Sequence, residues 1–222
     1  MHRGRSAVSA SDLATIDFGL RALLTLFVVI DPAGLVPVFI AHAGHRSAAT
    51  QASIARRAVV IAGFVLLAFA VVGGPLLGYL GISVEALQIA GGILLFRIAV
   101  SMVFGEFRRE TPEEEAEART KEDISVFPLA IPLIAGPGAL ASVVILGIEA
   151  QGDVSRSGIV LAAIGVVLVV AFVTLRTAPR IARLLGTTGI NVVTRVLGLV
   201  LAGLAVQYVA NGLIGLDLFG RG

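Results

Sequence analysis

From Ala58 to Val84 the chain runs 27 residues without a charged side chain. A helix rises about 1.5 Å per residue and the hydrocarbon core of a bilayer is about 30 Å thick, so roughly 20 apolar residues make one crossing. Three further uncharged runs meet that length: Ile124 to Ile148 (25 residues), Ser157 to Leu175 (19) and Val196 to Leu216 (21). Ala86 to Gly105, interrupted only by Arg97, and Ala22 to Ala41, interrupted only by Asp31, bring the expected count of spans to six. Composition agrees. Of 222 residues 57% are hydrophobic and 14% charged, against about 25% charge in soluble domains. Such a chain lacks the polar side chains to cover a water-exposed globule, and it is too apolar to be disordered. A soluble enzyme is excluded, and the expected fold class is an all-α polytopic membrane protein whose first partner is the lipid bilayer.

The placement of the charges predicts topology. Ten basic residues fall on one side of the expected spans: Arg46, Arg56, Arg57, Arg108, Arg109, Arg119, Lys121, Arg176, Arg180 and Arg183. Five fall on the other: Arg3, Arg5, Arg21, Arg156 and Arg221. Positive-inside bias then puts both termini outside. With Ser9, Ser11, Asp12 and Asp17 near the amino terminus, no apolar core follows at the distance a cleavable signal peptide needs, so the first span is expected to stay in the mature chain. Basic residues this scattered, with 6% aromatics and no tryptophan, do not suggest nucleic acid. The absence of cysteine removes disulfides and thiolate metal sites.

Between Glu106 and Asp123, 12 of 18 residues are charged, eight of them acidic. Charge runs are usually solvated faces, so this stretch reads as a cytoplasmic linker. It divides one membrane domain into an N-terminal three-helix repeat (1–105) and a C-terminal one (124–222).

Two spans cannot be simple helices. The first places Asp31, Pro32, Ala33, Gly34 and Pro37 at mid-membrane. Proline removes an amide donor and clashes with the preceding turn, yet it suits the first position of a new helix, where Asp is a preferred N-cap. Asp31 is therefore expected to end one half-helix and cap the next. The fourth span carries Pro128, Pro132 and Pro137, with Gly136 in the cap position and Gly138 leaving the backbone open to close approach.

Breaks at the same depth in two three-span halves suggest an internal duplication. Three is odd, so the halves would be inverted-topology repeats, the plan of many secondary transporters. Irregular backbone at this depth is tolerated where protein buries it or water reaches it, so the breaks are expected to line a common cavity. Their half-helix amino termini would there suit a small polar group.

The DPxGxxPxF pattern from Asp31 to Phe39 and the PLxxPxxxGPG pattern from Pro128 to Gly138 resemble the MarC family of bacterial inner-membrane proteins. The resemblance runs from about Phe18 to Leu216 and includes Thr194, Arg195, Gly198 and Gln207 in the last span. It implies movement of small neutral amino acids such as alanine and glycine, with proton or sodium as a coupling partner.

Asp31 carries the deepest charge, which normally marks function. A coupling-ion or ammonium site and a structural cap are both consistent with it. Gly91, Gly92 and Gly198 read first as helix-packing positions, Arg97 as paired or snorkelling, and Gln207, Tyr208 and Asn211 as interhelical hydrogen-bonding groups. No nucleophile with a base, no pair of mid-membrane aspartates and no HExxH helix is present, so neither an enzyme nor a cofactor is expected. The expected function is alternating-access transport or export of a small polar solute. A passive channel and a non-transporting scaffold are the alternatives, and an oligomer is compatible with each.

Overall fold

The computed structural model describes residues 10–105 and 124–216. The linker 106–123, expected from its charge to be solvated, lies outside them. The described chain is helical: α1 (Ala10–Ile30), α2 (Pro32–Ala43), α3 (Ala48–Leu80), α4 (Val84–Phe104), a π-type helix α5 (Ser125–Ile134), α6 (Pro137–Glu149) and α7 (Val154–Gly215).

Local chemistry sets the boundaries. Ser47, Ser83 and Asp153 cap α3, α4 and α7 by accepting from amides one turn on. Gly81 and Gly105 close α3 and α4 in the left-handed conformation that glycine reaches at no steric cost. α1 and α2 together make one 31-residue apolar span, Leu13–Ala43. α5 and α6 are bent by 56°. Inside α5, Phe127 and Ile131 are extended, each ahead of a proline in cis.

By length and composition four spans are capable of crossing a membrane, or five with the bent α5–α6 pair. The sequence expectation was six. The difference lies in α7, whose 62 residues would measure about 93 Å as a straight rod, three times the hydrocarbon thickness. It is not straight, because Gly186 (φ 61°, ψ 179°) breaks it. Arg156, near its start, stacks on Phe18, and Arg195 lies against Gly105. Gly212, near its end, is back against Glu85. The arms 154–185 and 187–215 therefore run in opposite directions, and the second lies antiparallel to α4. The helices also outrun the apolar runs that announced them. Arg56 and Arg57, expected in a loop, are on α3, and Arg176, Arg180 and Arg183 continue the first arm of α7.

The interior is built from small residues. Ala22, Ala55, Ala58, Ala62, Ala99, Ala171 and Ala205 are fully buried. A Cβ on Gly73 would sit 2.5 Å from Val144, and one on Gly147 would sit 2.6 Å from the Ala70 carbonyl, which locks α3 to α6. Large apolar side chains point outward instead, Phe64 at 76% exposure and Tyr79 at 89% among many. Close helix approach through small residues and an apolar perimeter are the signature of a bundle packed in lipid.

Candidate functional site

Asp31 is the one described non-glycine residue with positive φ (48°, ψ 70°), and it is completely buried. Aspartate tolerates this conformation because its short side chain can bond locally. Here the Asp31 carboxylate accepts from the Gly34 amide at 3.1 Å and caps α2, with Pro32 in the first helical position. Its own amide donates to the Phe27 carbonyl at 3.0 Å, so α1 ends in a closed turn. A side chain on Gly34 would run into the Asp31 carboxylate, its Cβ 2.9 Å from Cγ, so the small residue at 34 makes room for the cap.

The second break is built differently. Gly136 is extended (φ −80°, ψ 170°) and caps α6 without a side-chain bond. Its missing Cβ would meet the Pro132 carbonyl oxygen, so the need for glycine there is space. Pro137 is exposed, while Gly138 is buried against Leu95 (2.8 Å from an added Cβ), Ile98 (3.1 Å) and Val29 (3.3 Å). Val29 precedes Asp31 by two residues, so α6 starts beside the end of α1.

A cavity of about 110 Å³ is lined by Gly34, Pro37 and Val38 of α2, Met102 and Gly105 at the end of α4, and Ile190, Asn191, Thr194 and Arg195 of the second arm of α7. This cavity is bordered by the α2 break, and Gly136, Pro137 and Gly138 are not among its lining residues. They pack against neighbouring helices or face outward. Asn191, Thr194 and Arg195 entered the sequence reading only through resemblance, or not at all. Their i, i+3, i+4 spacing puts them on one helix face and was the available signal.

Elsewhere glycines serve packing. Gly91 lies against Ala141 and Ile145, Gly92 against the Ala205 carbonyl and Val209, and Gly198 against Met102 and the Ala99 carbonyl. Arg97 is exposed on α4 and makes no ion pair among the described residues. Gln207, expected to bond between helices, instead donates to Asn211 of its own helix at 2.7 Å. The cause is their i, i+4 spacing on an exposed face.

At the opposite end from the cavity, Arg21 of α1 meets Glu149 of α6 at 3.8 Å. Arg21 and Arg156 lie over the Phe18 ring at 5.8 and 5.5 Å. Below them the Tyr208 hydroxyl sits beside those of Thr25 and Ser142, all three residues being buried. These contacts join α1, α6 and α7 at that end.

Broken apolar helices, an apolar perimeter and a polar-lined cavity beside a break define an integral, multi-pass membrane protein. The chain matches the MarC family integral membrane protein model over residues 16–216 and belongs to that family. It is 40% identical over 199 residues to a UPF0056 membrane protein of Archaeoglobus fulgidus, covering 89% of this chain and 93% of the relative. It is 36% identical over 202 residues to the UPF0056 membrane protein YvbG of Bacillus subtilis (90% and 95%). It is also 34% identical over 198 residues to the UPF0056 membrane protein YhcE of Escherichia coli (88% and 92%). No solved structure matches.

Proposed function

We propose that the chain is a secondary transporter or exporter of small neutral amino acids, alanine and glycine being the class, or of similar small solutes. It would work by alternating access in a bacterial inner membrane. In this reading the two arms of α7 are separate spans, which brings the number of crossings to six. Residues 1–105 and 124–222 are then inverted repeats, with both termini outside.

One observation carries the proposal. The cavity reaches the α2 break from the end of the bundle that holds Arg195 and Gly105, while at the other end Arg21, Glu149 and the Tyr208 hydroxyl cluster tie α1, α6 and α7 together. A site accessible from one side, with contacts between different helices joining the other, is what one end state of an alternating-access cycle requires. Opening that end would separate α1 from α6, which meet through a single ion pair and small-residue contacts. Asp31 would act as cap of α2 and as the group that senses the coupling ion.

Uptake and efflux of labelled alanine and glycine in proteoliposomes, with and without proton or sodium gradients, is the deciding measurement. Saturable flux that follows an imposed gradient is the expected result. The absence of gradient-dependent flux for any small amino acid would remove the transporter reading, and non-saturating flux would favour a channel.

A further inference from the structure

We propose that two copies of this chain meet along the outward face of the second arm of α7, where Gln207 and Asn211 of each copy hydrogen-bond to the other. The proposal rests on the reading of that arm as a separate span in lipid, and not on the movement of any solute.

The arm turns Leu201, Ala205, Tyr208 and Gly212 into the bundle, which is the spacing of one helix face. Gly203 and Gln207 lie on the opposite side of the helix, and both are exposed. Asn211 is exposed one turn further on. All three fall inside the uncharged run Val196–Leu216. Gln207 comes 12 residues after Arg195 and 8 before Gly215, which lies against Glu85. It is therefore about 18 Å along the helix from one charged level and about 12 Å from the other, a depth that belongs to hydrocarbon on the six-span reading.

A carboxamide carries two N–H donors and one carbonyl oxygen. Gln207 Nε2 donates to Asn211 Oδ1 at 2.7 Å, and neither side chain makes another hydrogen bond among the described residues. The Gln207 oxygen, its second N–H and both N–H groups of Asn211 are left over. Hydrocarbon offers them no partner, and an amide placed there unpaired is costly. Polar side chains and small residues at such a position are what a helix uses to join another helix in lipid. The second helix is best supplied by the same chain, because a carboxamide is its own complement, donor and acceptor together. A two-fold axis along the membrane normal would set the two arms parallel, with Gln207 opposite the same residue of the second copy. Gly203, one turn away, has nothing within 4 Å of where its Cβ would stand, so the two backbones are free to approach there.

The test uses the full chain in liposomes, with donor and acceptor dyes on a cysteine added at the carboxyl terminus. Energy transfer should rise with the protein-to-lipid ratio. Replacing the amides together, Gln207→Leu with Asn211→Leu, should move the midpoint to a ratio about threefold to thirtyfold higher, at a detergent melting temperature unchanged or raised. Gly203→Leu, which meets nothing in its own copy, should weaken association likewise. Copper phenanthroline should join two copies through Val200→Cys, three residues from Gly203, and not through Val166→Cys, which is also exposed but on the first arm. A monomer at every ratio, an unchanged midpoint in the double variant, or equal cross-linking at Val166→Cys would each overturn the interface and leave this face to lipid or to a different membrane protein. The span itself is checked separately. At the highest dilution Val200→Cys should resist a membrane-impermeant maleimide from both faces; rapid reaction would remove the six-span reading, whereas resistance without association removes the interface alone.

Discussion

Gly34→Ala tests how the first break is held. The added methyl group would run into the Asp31 carboxylate, so that carboxylate must leave the Gly34 amide. Losing a cap costs about 1 kcal/mol, and forcing a buried group aside in a packed interior costs about 1–3 kcal/mol. Alanine returns about 0.5–1 kcal/mol relative to glycine inside a helix. The net destabilisation is about 2 kcal/mol, which for a chain of this size lowers the melting temperature by about 4–8 °C. The background matters more than the figure. Asp31→Gly removes the obstructing side chain and keeps a residue at ease at φ 48°, so by itself it should cost only about a few tenths of a kcal/mol. In that background Gly34→Ala has nothing to strike and becomes neutral or stabilising by about 0.5–1 kcal/mol. Thermal unfolding in detergent of the four members of this cycle measures the coupling. Equal destabilisation by Gly34→Ala in both backgrounds would refute the account of Asp31 as a cap whose space glycine provides.

Asp31→Asn keeps an oxygen for the Gly34 amide and tolerates the left-handed conformation, so it should fold normally; loss of gradient dependence in proteoliposomes with retained exchange is the expected outcome, and full coupled transport would confine Asp31 to capping. Gly92→Ala should destabilise by about 1–3 kcal/mol because its Cβ would stand 2.7 Å from the Ala205 carbonyl. Gly203→Ala, with open space around it, should instead be neutral or stabilising by about 0.5–1 kcal/mol, and detergent melts compare the pair. The chain contains no cysteine, so single substitutions read accessibility directly: Asn191→Cys should react with an impermeant maleimide from the cytoplasmic face only, and reaction from the periplasmic face alone would reverse the proposed topology. Glu149→Gln, which removes the α6 partner of Arg21 and leaves its pair with Asp17 on α1, should raise labelling of Thr25→Cys from the opposite face, and no change would show that the α1–α6 ion pair does not hold that end shut.

What could be read from the sequence followed from chemistry that is local in the chain. Asp31 before Pro32 states its own conformation, because proline cannot donate to the preceding turn and aspartate can supply the missing cap. The three prolines at 128, 132 and 137 likewise announce irregular backbone wherever they are placed. Gly91, Gly92 and Gly198 lie where a side chain would strike a neighbouring helix, as small residues in an apolar run suggest. That the chain turns back between the runs Ser157–Leu175 and Val196–Leu216 was legible from hydropathy, but the turning residue was less visible, since Gly186 and Gly189 both lie between them and only the positive φ of Gly186 singles it out. The cavity was least visible of all. Thr194 and Arg195 share a helix face with Asn191, but whether that face looks into the bundle depends on where α4 ends, and Gly105 meets Arg195 from 90 residues away in the chain. Hydropathy cannot supply that juxtaposition, because both partners sit at the margins of apolar runs.

The two breaks also show how far a shared pattern extends. Both place proline at the start of a half-helix, and in both a missing Cβ makes room, at Gly34 for a carboxylate and at Gly136 for a backbone carbonyl. Of the two half-helices that begin at the breaks, α2 is capped by a side chain and α6 is not. The amides at the start of α2 are thus partly satisfied from within the chain, whereas those of α6 have no side-chain acceptor at the cap. On the proposed mechanism the repeats exchange roles between the two end states, so this difference makes those states chemically unequal.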